Sequence, residues 1–288
     1  MSNTNGNSCP VPVGTLLIIG GKESKGEMPQ NHKAPDGYDP LEVLRTFSDL
    51  LPKHNVHVEI VTSGSSQGDE SFREYKKLFK KLGIEDVAQI HHDSRKEALD
   101  DDLEERIKIA HGIFFTGGDQ LLLTSFYGGT PFLTMLKEKY IKHKIVIAGT
   151  SAGAMALSTP MIYSGSQEEQ QITNEIKVTT GLEFIKDVCI DTHFVHRGRL
   201  LRLAQVIATN PTTIGLGIDE DTALIVRNGL ETEVKGSGVV VVLEGFDISY
   251  TNVDGKPDQP PLSMRDIRMH ILAHQDTYML RQTNPPHF

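Results

Sequence analysis

The chain has 288 residues, 38% hydrophobic and 23% charged, enough to bury a large core and too apolar for wholesale disorder. Its 29 basic and 38 acidic side chains leave a net charge of −9, which disfavours a general nucleic-acid binder because phosphate contacts need a basic footprint. The longest apolar runs, GTLLIIGG and GVVVVLEG, fall well short of the ~18 residues of a membrane span. Two cysteines, Cys9 in a polar leader and Cys189 in an apolar run, are too few for a disulfide framework.

The leader MSNTNGNSCP has neither a basic n-region nor an apolar h-region, so a cytoplasmic protein is expected and a signal peptide is not. Residues 1–12 read as a flexible tail and 13–288 as one α/β domain. GTLLIIGG is a short apolar run closed by glycines, as expected of a buried parallel strand. After a polar loop, PLEVLRTFSDLL is helical, with Pro40 suited to its first turn. HVEIV is the next strand; DESFREYKKLFKKLG is a helix opened by acids and stopped by Gly83. DVAQIHH and GIFF are strands around a helix spanning KEALDDDLEERIKIAH, and LLLTSFYGGTPFLTMLKEKYIKH is helical with a break at Gly128–Gly129. KIVIAGT is a fifth strand, and SAGAMALS opens a helix of small residues. Such alternation predicts a parallel sheet with helices on both faces. Beyond Leu157 the rhythm changes. KDVCIDTHF is strand-like, GRLLRLAQVIATN is an amphipathic helix, and the stretch from Thr212 to Gly245 reads as short strands joined into hairpins at Asn-Gly and Gly-Ser.

The strongest local signal is Gly149-Thr150-Ser151-Ala152-Gly153, a G-x-S-x-G that follows an apolar strand and opens a helix. A sharp strand-to-helix turn lifts the serine hydroxyl clear, and the helix N-terminus adds positive potential where an oxyanion would form. A nucleophilic serine needs a base, and the base an orienting acid. His193 ends an apolar strand, at the sheet edge where ligands of parallel sheets bind; His196 is its rival. His91-His92 invites a metal reading, but adjacent residues of a strand point to opposite faces and rarely chelate together. Thr116-Gly117-Gly118-Asp119-Gln120 ends another strand, where paired glycines allow close backbone approach to a substrate; Asp119 also suits a helix cap.

FFTGGDQ, GTSAGA, DTHFVHRGRLLRL and GIDEDTAL, in this order, resemble the cyanophycinases, within the serine peptidase family that also holds the aspartyl dipeptidase called peptidase E. The matching blocks run from about Gly14 to Val226. The resemblance implies a flavodoxin-like α/β sheet of the class I glutamine amidotransferase kind with an antiparallel C-terminal addition, and a serine in place of the usual cysteine. It matches Ser151 to the nucleophile and His193 to the base, and their separation of 42 residues suits the family. It puts the acid at Glu169, next to Glu168, and the oxyanion amides at Gly118 and Ala152. It assigns Gln120, Asp191, Thr192, Arg197, Arg199 and Arg202 to the substrate pocket, where guanidinium forks suit free α-carboxylates and acids suit arginine side chains.

Thr192 departs from the family's usual glutamine, so the reaction type is better founded than substrate preference. The implied activity is hydrolysis of cyanophycin, a poly-aspartate carrying arginine on each β-carboxyl, to β-Asp-Arg dipeptides. No metal or organic cofactor, nucleic acid or membrane is called for, and the family suggests a homodimer. Peptidase E-type aspartyl or isoaspartyl dipeptide hydrolysis stays open. So does a non-catalytic binding module of the same fold, in which Ser151 would be unreactive. An α/β-hydrolase esterase would share G-x-S-x-G but not the TGGDQ block, and an amidotransferase-like enzyme would need a cysteine at the elbow.

Overall fold

A computed structural model describes residues 10–27, 39–164, 176–253 and 261–281. In chain order the first half runs β1 (Thr15–Ile19), α1 (Glu42–Leu50), β2 (His57–Val61), α2 (Gly68–Lys81), β3 (Asp86–Ile90), α3 (Arg95–Asp100), α4 (Glu104–Ile109), β4 (Gly112–Phe115), α5 (Gln120–Tyr127), α6 (Pro131–Lys142), β5 (Val146–Thr150) and α7 (Ala152–Ala156). Then come β6 (Ser158–Thr159), β7 (Met161–Ser164), β8 (Lys177–Thr179), β9 (Ile185–Lys186), β10 (Val188–Thr192), α8 (Leu200–Thr209) and β11 (Ile214–Ile218). The chain continues with β12 (Thr222–Arg227), β13 (Glu231–Gly236), β14 (Val240–Glu244), β15 (Tyr250–Thr251), β16 (Met264–Arg265), β17 (Arg268–Leu272) and β18 (Thr277–Met279).

The main sheet has the order β18-β13-β12-β1-β5-β4-β2-β3. Its five strands from β1 to β3 are parallel, and β12, β13 and β18 add to the β1 edge antiparallel. Successive residues of a strand face opposite ways. Leu16 and Ile18 therefore enter one core with α3 to α8, while Leu17 and Ile19 enter a second with α1 and α2, so helices cover both faces as expected. The larger core runs on into a second sheet, β17-β14-β11-β10-β6-β9, in which β10 and β11 are parallel and joined through α8. Cys189 is buried there. Among the described residues no helix is long and apolar enough to cross a membrane.

Two local expectations need correction. The helix expected over Lys96–His111 is two short ones, because Asp101 takes an extended backbone and the Asp102 carboxylate accepts the Glu104 N–H instead. Aspartate competes for backbone donors in this way and favours helix ends over interiors. The Asn228-Gly229 turn does close a hairpin between β12 and β13, both residues having positive φ, but Gly236-Ser237 does not. There the Ser237 N–H and hydroxyl bind the Asp221 carbonyl and carboxylate, and the Asp219 N–H binds the Val239 carbonyl. The β11–β12 and β13–β14 connections thus cross between the two sheets side by side, and β14 pairs with β11.

Candidate active site

The site forms where the C-terminal ends of β1, β4 and β5 in the main sheet meet those of β10 and β11 in the second. The last carbonyl of β1 and the one just after it hold both key residues: Ile19 O accepts the Ser151 N–H at 3.0 Å, and Gly20 O accepts the His193 N–H at 2.9 Å. Gly21 leaves room for them. It has φ +96°, and a Cβ there would stand 2.5 Å from the His193 ring and 3.1 Å from the Ser151 Cβ.

Ser151 sits between β5 and α7 with φ 52° and ψ −117°, in a sparsely populated region. The flanking glycines make that turn possible. A Cβ on Gly149 would lie 2.5 Å from the Gly153 carbonyl, and one on Gly153 would lie 2.3 Å from that of Phe115. Strand, turn and helix can approach this closely only without those side chains.

Ser151 Oγ and His193 Nε2 are 2.9 Å apart. His193 also has positive φ, at 50°. Its Nδ1 lies 2.8 Å from Glu220 Oε1. Glu220 follows β11, the strand parallel to the one that presents His193, so the register of β10 and β11 sets this contact. Glu168 and Glu169 lie outside the described residues, and among those described the carboxylate on Nδ1 is Glu220. Lys22 Nζ is 3.0 Å from the same Oε1. His196 does not meet Ser151: it is more than half exposed, with Nδ1 3.0 Å from Asp219 Oδ1 and Nε2 3.7 Å from Glu220 Oε2. His91 Nδ1 meets Thr62, whereas His92 meets Tyr127 and Asp101, so the adjacent histidines do turn apart.

Electrostatics favour a neutral base. Burial pushes the His193 pKa down, the charges of Arg197 and Arg199 push the same way, and the hydrogen bond to Glu220 only partly opposes them. Burial alone would raise Glu220, but hydrogen bonds from His193 and Lys22 lower it overall, so the carboxylate stays ionised. A general base is lost when it protonates, as pH falls through its pKa. The acid limb of kcat/KM should therefore fall below the ~6.5 of an unperturbed imidazole. It should move upward in Arg197→Gln, which removes a cation that disfavours imidazolium. A limb at or above that value, unmoved by the substitution, would show that another group titrates.

A cavity of about 220 Å³ opens beside Ser151, with Gly118, Gln120, Ala152, Tyr163, Thr192 and the three arginines among its walls. No described residue accepts from the backbone N–H of Gly118 or Ala152, so both are free for an oxyanion. Gly118 has φ +138°, and a Cβ there would be 2.0 Å from the Gly64 carbonyl. Asp119 caps α5 by accepting the Leu121 N–H, and Gln120 Nε2 donates to the Ile162 carbonyl.

The arginines divide. Arg202 grips Asp191 through Nε and Nη2, and Arg199 Nη1 donates to Asp191 Oδ1 and to the Thr192 carbonyl. Asp191 is fully buried, has its oxygens occupied by these arginines and the Thr192 N–H, and does not line the cavity. The structure thus puts it under the pocket as a tether for the arginines, in contrast to its expected place against the substrate. Burial pulls the Arg199 guanidinium down to about 10, against the attraction of Asp191 and with the repulsion of Arg202. Arg197 is exposed, lines the cavity, and its guanidinium bonds to no described residue. The Thr192 hydroxyl is buried with no partner among the described residues.

Sequence reasoning missed Glu220. The signal was a carboxylate just past the end of a strand, within GIDEDTAL. It became meaningful only once that strand was known to pair in parallel with the one carrying His193.

Comparison with known proteins bears on this geometry. The model of peptidase family S51 matches residues 37–234. A cyanophycinase from Synechococcus elongatus is 33% identical over 274 residues, which cover 95% of this chain and 81% of that protein. A cyanophycinase from Geminocystis herdmanii (strain PCC 6308) is 30% identical over 272 residues, covering 94% of this chain and 95% of that one. Among solved structures, a peptidase from an acI-B1 Actinobacterium shares the fold with a TM-score of 0.60 at 21% identity, covering 94% of this chain and 98% of its own. With a serine at the elbow of a matching fold and a family match over more than half its length, the chain belongs to peptidase family S51 and is a serine peptidase.

Proposed function

We propose that the protein is a serine-type exopeptidase that hydrolyses cyanophycin to β-Asp-Arg dipeptides through an acyl-enzyme. The observation that carries this reading is Ser151 Oγ on His193 Nε2 at the mouth of a cavity that also holds Arg197, whose guanidinium bonds to no described residue. The similarity to cyanophycinases supports the choice of polymer.

In this mechanism Ser151 Oγ attacks the backbone carbonyl of an aspartyl unit as its proton passes to His193 Nε2. The oxyanion takes the N–H groups of Gly118 and Ala152. Glu220 accepts from Nδ1, fixes the ring's tautomer and stabilises the imidazolium, the role the resemblance gives to Glu169. His193 then returns the proton to the leaving amine, and water attacks the acyl-enzyme by the same route. The net charge of −9 favours approach of a substrate with cationic arms. On this reading the protein acts as a cytoplasmic homodimer.

Incubation with insoluble cyanophycin, with products read by mass, tests the substrate. Release of β-Asp-Arg is expected; cleavage of only short α-aspartyl or isoaspartyl dipeptides would replace this reading with a peptidase E-type one. Failure of a serine-reactive probe to label Ser151 would leave a binding module.

Arg197 is the fork free to grip a substrate α-carboxylate, because Arg199 and Arg202 are engaged by Asp191. Lysine keeps the charge and loses bidentate geometry. Arg197→Lys should lower kcat/KM about tenfold, the loss expected for a charge-assisted pair. Substrates amidated at the α-carboxyl should bind the wild type less well and be indifferent to the substitution. Equal damage with both substrates would assign Arg197 to the protein rather than to the substrate.

A further inference from the structure

Behind Ser151 lies a buried carboxylate that the reaction above does not use. Glu23 is only 4% exposed. Its Oε2 accepts from the Thr150 hydroxyl at 2.7 Å, and its Oε1 accepts from the Tyr75 hydroxyl. Both partners are neutral donors. Among the described residues no cation bonds to Glu23, and burying a carboxylate without one is costly, so an apolar side chain would fill such a place at lower cost. Tyr75 stays a donor here, since burial and the Glu23 charge push its pKa well up.

The position of Glu23 explains what it holds. Thr150 is the last residue of β5, is buried, and is bonded covalently to Ser151. The segment carrying Glu23 also touches the rest of the site: Gly20 O takes the His193 N–H, Lys22 meets Glu220, and the Ser24 N–H binds the Asp221 carboxylate. A residue in a sparsely populated backbone region persists only when its surroundings over-determine it. Ser151 is held on one side by Ile19 O and on the other by α7, where the Met155 N–H binds its carbonyl. The Thr150 side chain supplies a third hold, and Glu23 is its acceptor.

We infer that Glu23 is a positioning residue that ties the end of β5 to Tyr75 of α2, so that Ser151 keeps its left-handed backbone and its Oγ stays on His193. This rests on Ser151 being the nucleophile.

The test compares four variants with the wild type: Thr150→Val, nearly isosteric but without the hydroxyl; Thr150→Ser, which retains it; Glu23→Gln, which cannot accept from both hydroxyls through its amide nitrogen; and the Thr150→Val/Glu23→Gln double. Each is assayed for kcat and KM and for the rate and end point of labelling by a fluorophosphonate probe. Thr150→Val and Glu23→Gln should each lower kcat and the labelling rate about tenfold, with KM within about twofold. The end point should stay at one label per chain, which a partly unfolded protein would not reach. Thr150→Ser should recover most of the rate, and the double variant should be no slower than the worse single one, because both remove the same contact. If Glu23→Gln does not fold, the two Thr150 variants still decide. A wild-type rate in Thr150→Val, a loss that falls on KM, or losses that multiply in the double variant would each overturn the inference. A wild type that the probe does not label would overturn the nucleophile reading, and this inference with it.

Discussion

Ser151→Ala should lower kcat by about 10⁴- to 10⁶-fold, the usual consequence of removing a triad nucleophile. The fold should survive. The hydroxyl makes one hydrogen bond among the described residues, to His193, and the strained turn already accommodates a Cβ at φ 52°. Alanine therefore adds no new backbone conflict, and the stability change should stay within about 1 kcal/mol. Product release read by mass, alongside thermal melts, checks both halves. Hydrolysis at the wild-type rate would sink the serine mechanism at this site, and a lost melting transition would make Ser151 structural.

Glu220→Gln should be the next most damaging change, lowering kcat by about 10³- to 10⁴-fold while keeping the fold. Glutamine nearly matches glutamate in shape but lacks the charge that stabilises imidazolium. Its amide nitrogen can also donate to Nδ1, which would put the ring proton on Nε2 and leave nothing to accept from Ser151. Glu169→Gln is the control. It should change kcat by no more than a few-fold if Glu220 is the acid, and the two results should exchange if Glu169 is. Stability gives a second readout. The Glu220 pKa is lowered in the folded protein. Its stabilising contribution is thus present above the ordinary glutamate value of ~4.3 and lost as pH falls through the lowered value. Glu220→Gln should lose that part of the acid dependence of folding.

Much of this protein is written in local sequence. Apolar strands bounded by glycines, helices opened by acids and closed by Gly83, and the break at Gly128–Gly129 follow from short-range rules, and all appear in the structure. The elbow is as local, since Gly149, Ser151 and Gly153 meet through one strand-turn-helix step, and the sequence pattern implies the close approach found there. His193 was legible too, as a histidine ending a strand.

The rest depended on pairings between distant segments. Whether Gly236-Ser237 closes a hairpin is decided by Asp221, which binds Ser237 and sends β14 to the second sheet. Glu220 becomes the partner of Nδ1 through the parallel register of β10 and β11. The family resemblance makes Asp191, Arg199 and Arg202 three substrate ligands. In space they form one buried ion cluster, and of the three pocket arginines Arg197 is the one whose guanidinium bonds to no described residue. Residue types and short spacings, then, determine the elements and the class of nucleophile. Which charged group binds which is decided only by tertiary structure, because an ionic or hydrogen-bonding side chain takes the partner that strand register brings within about 3 Å, regardless of its distance in sequence.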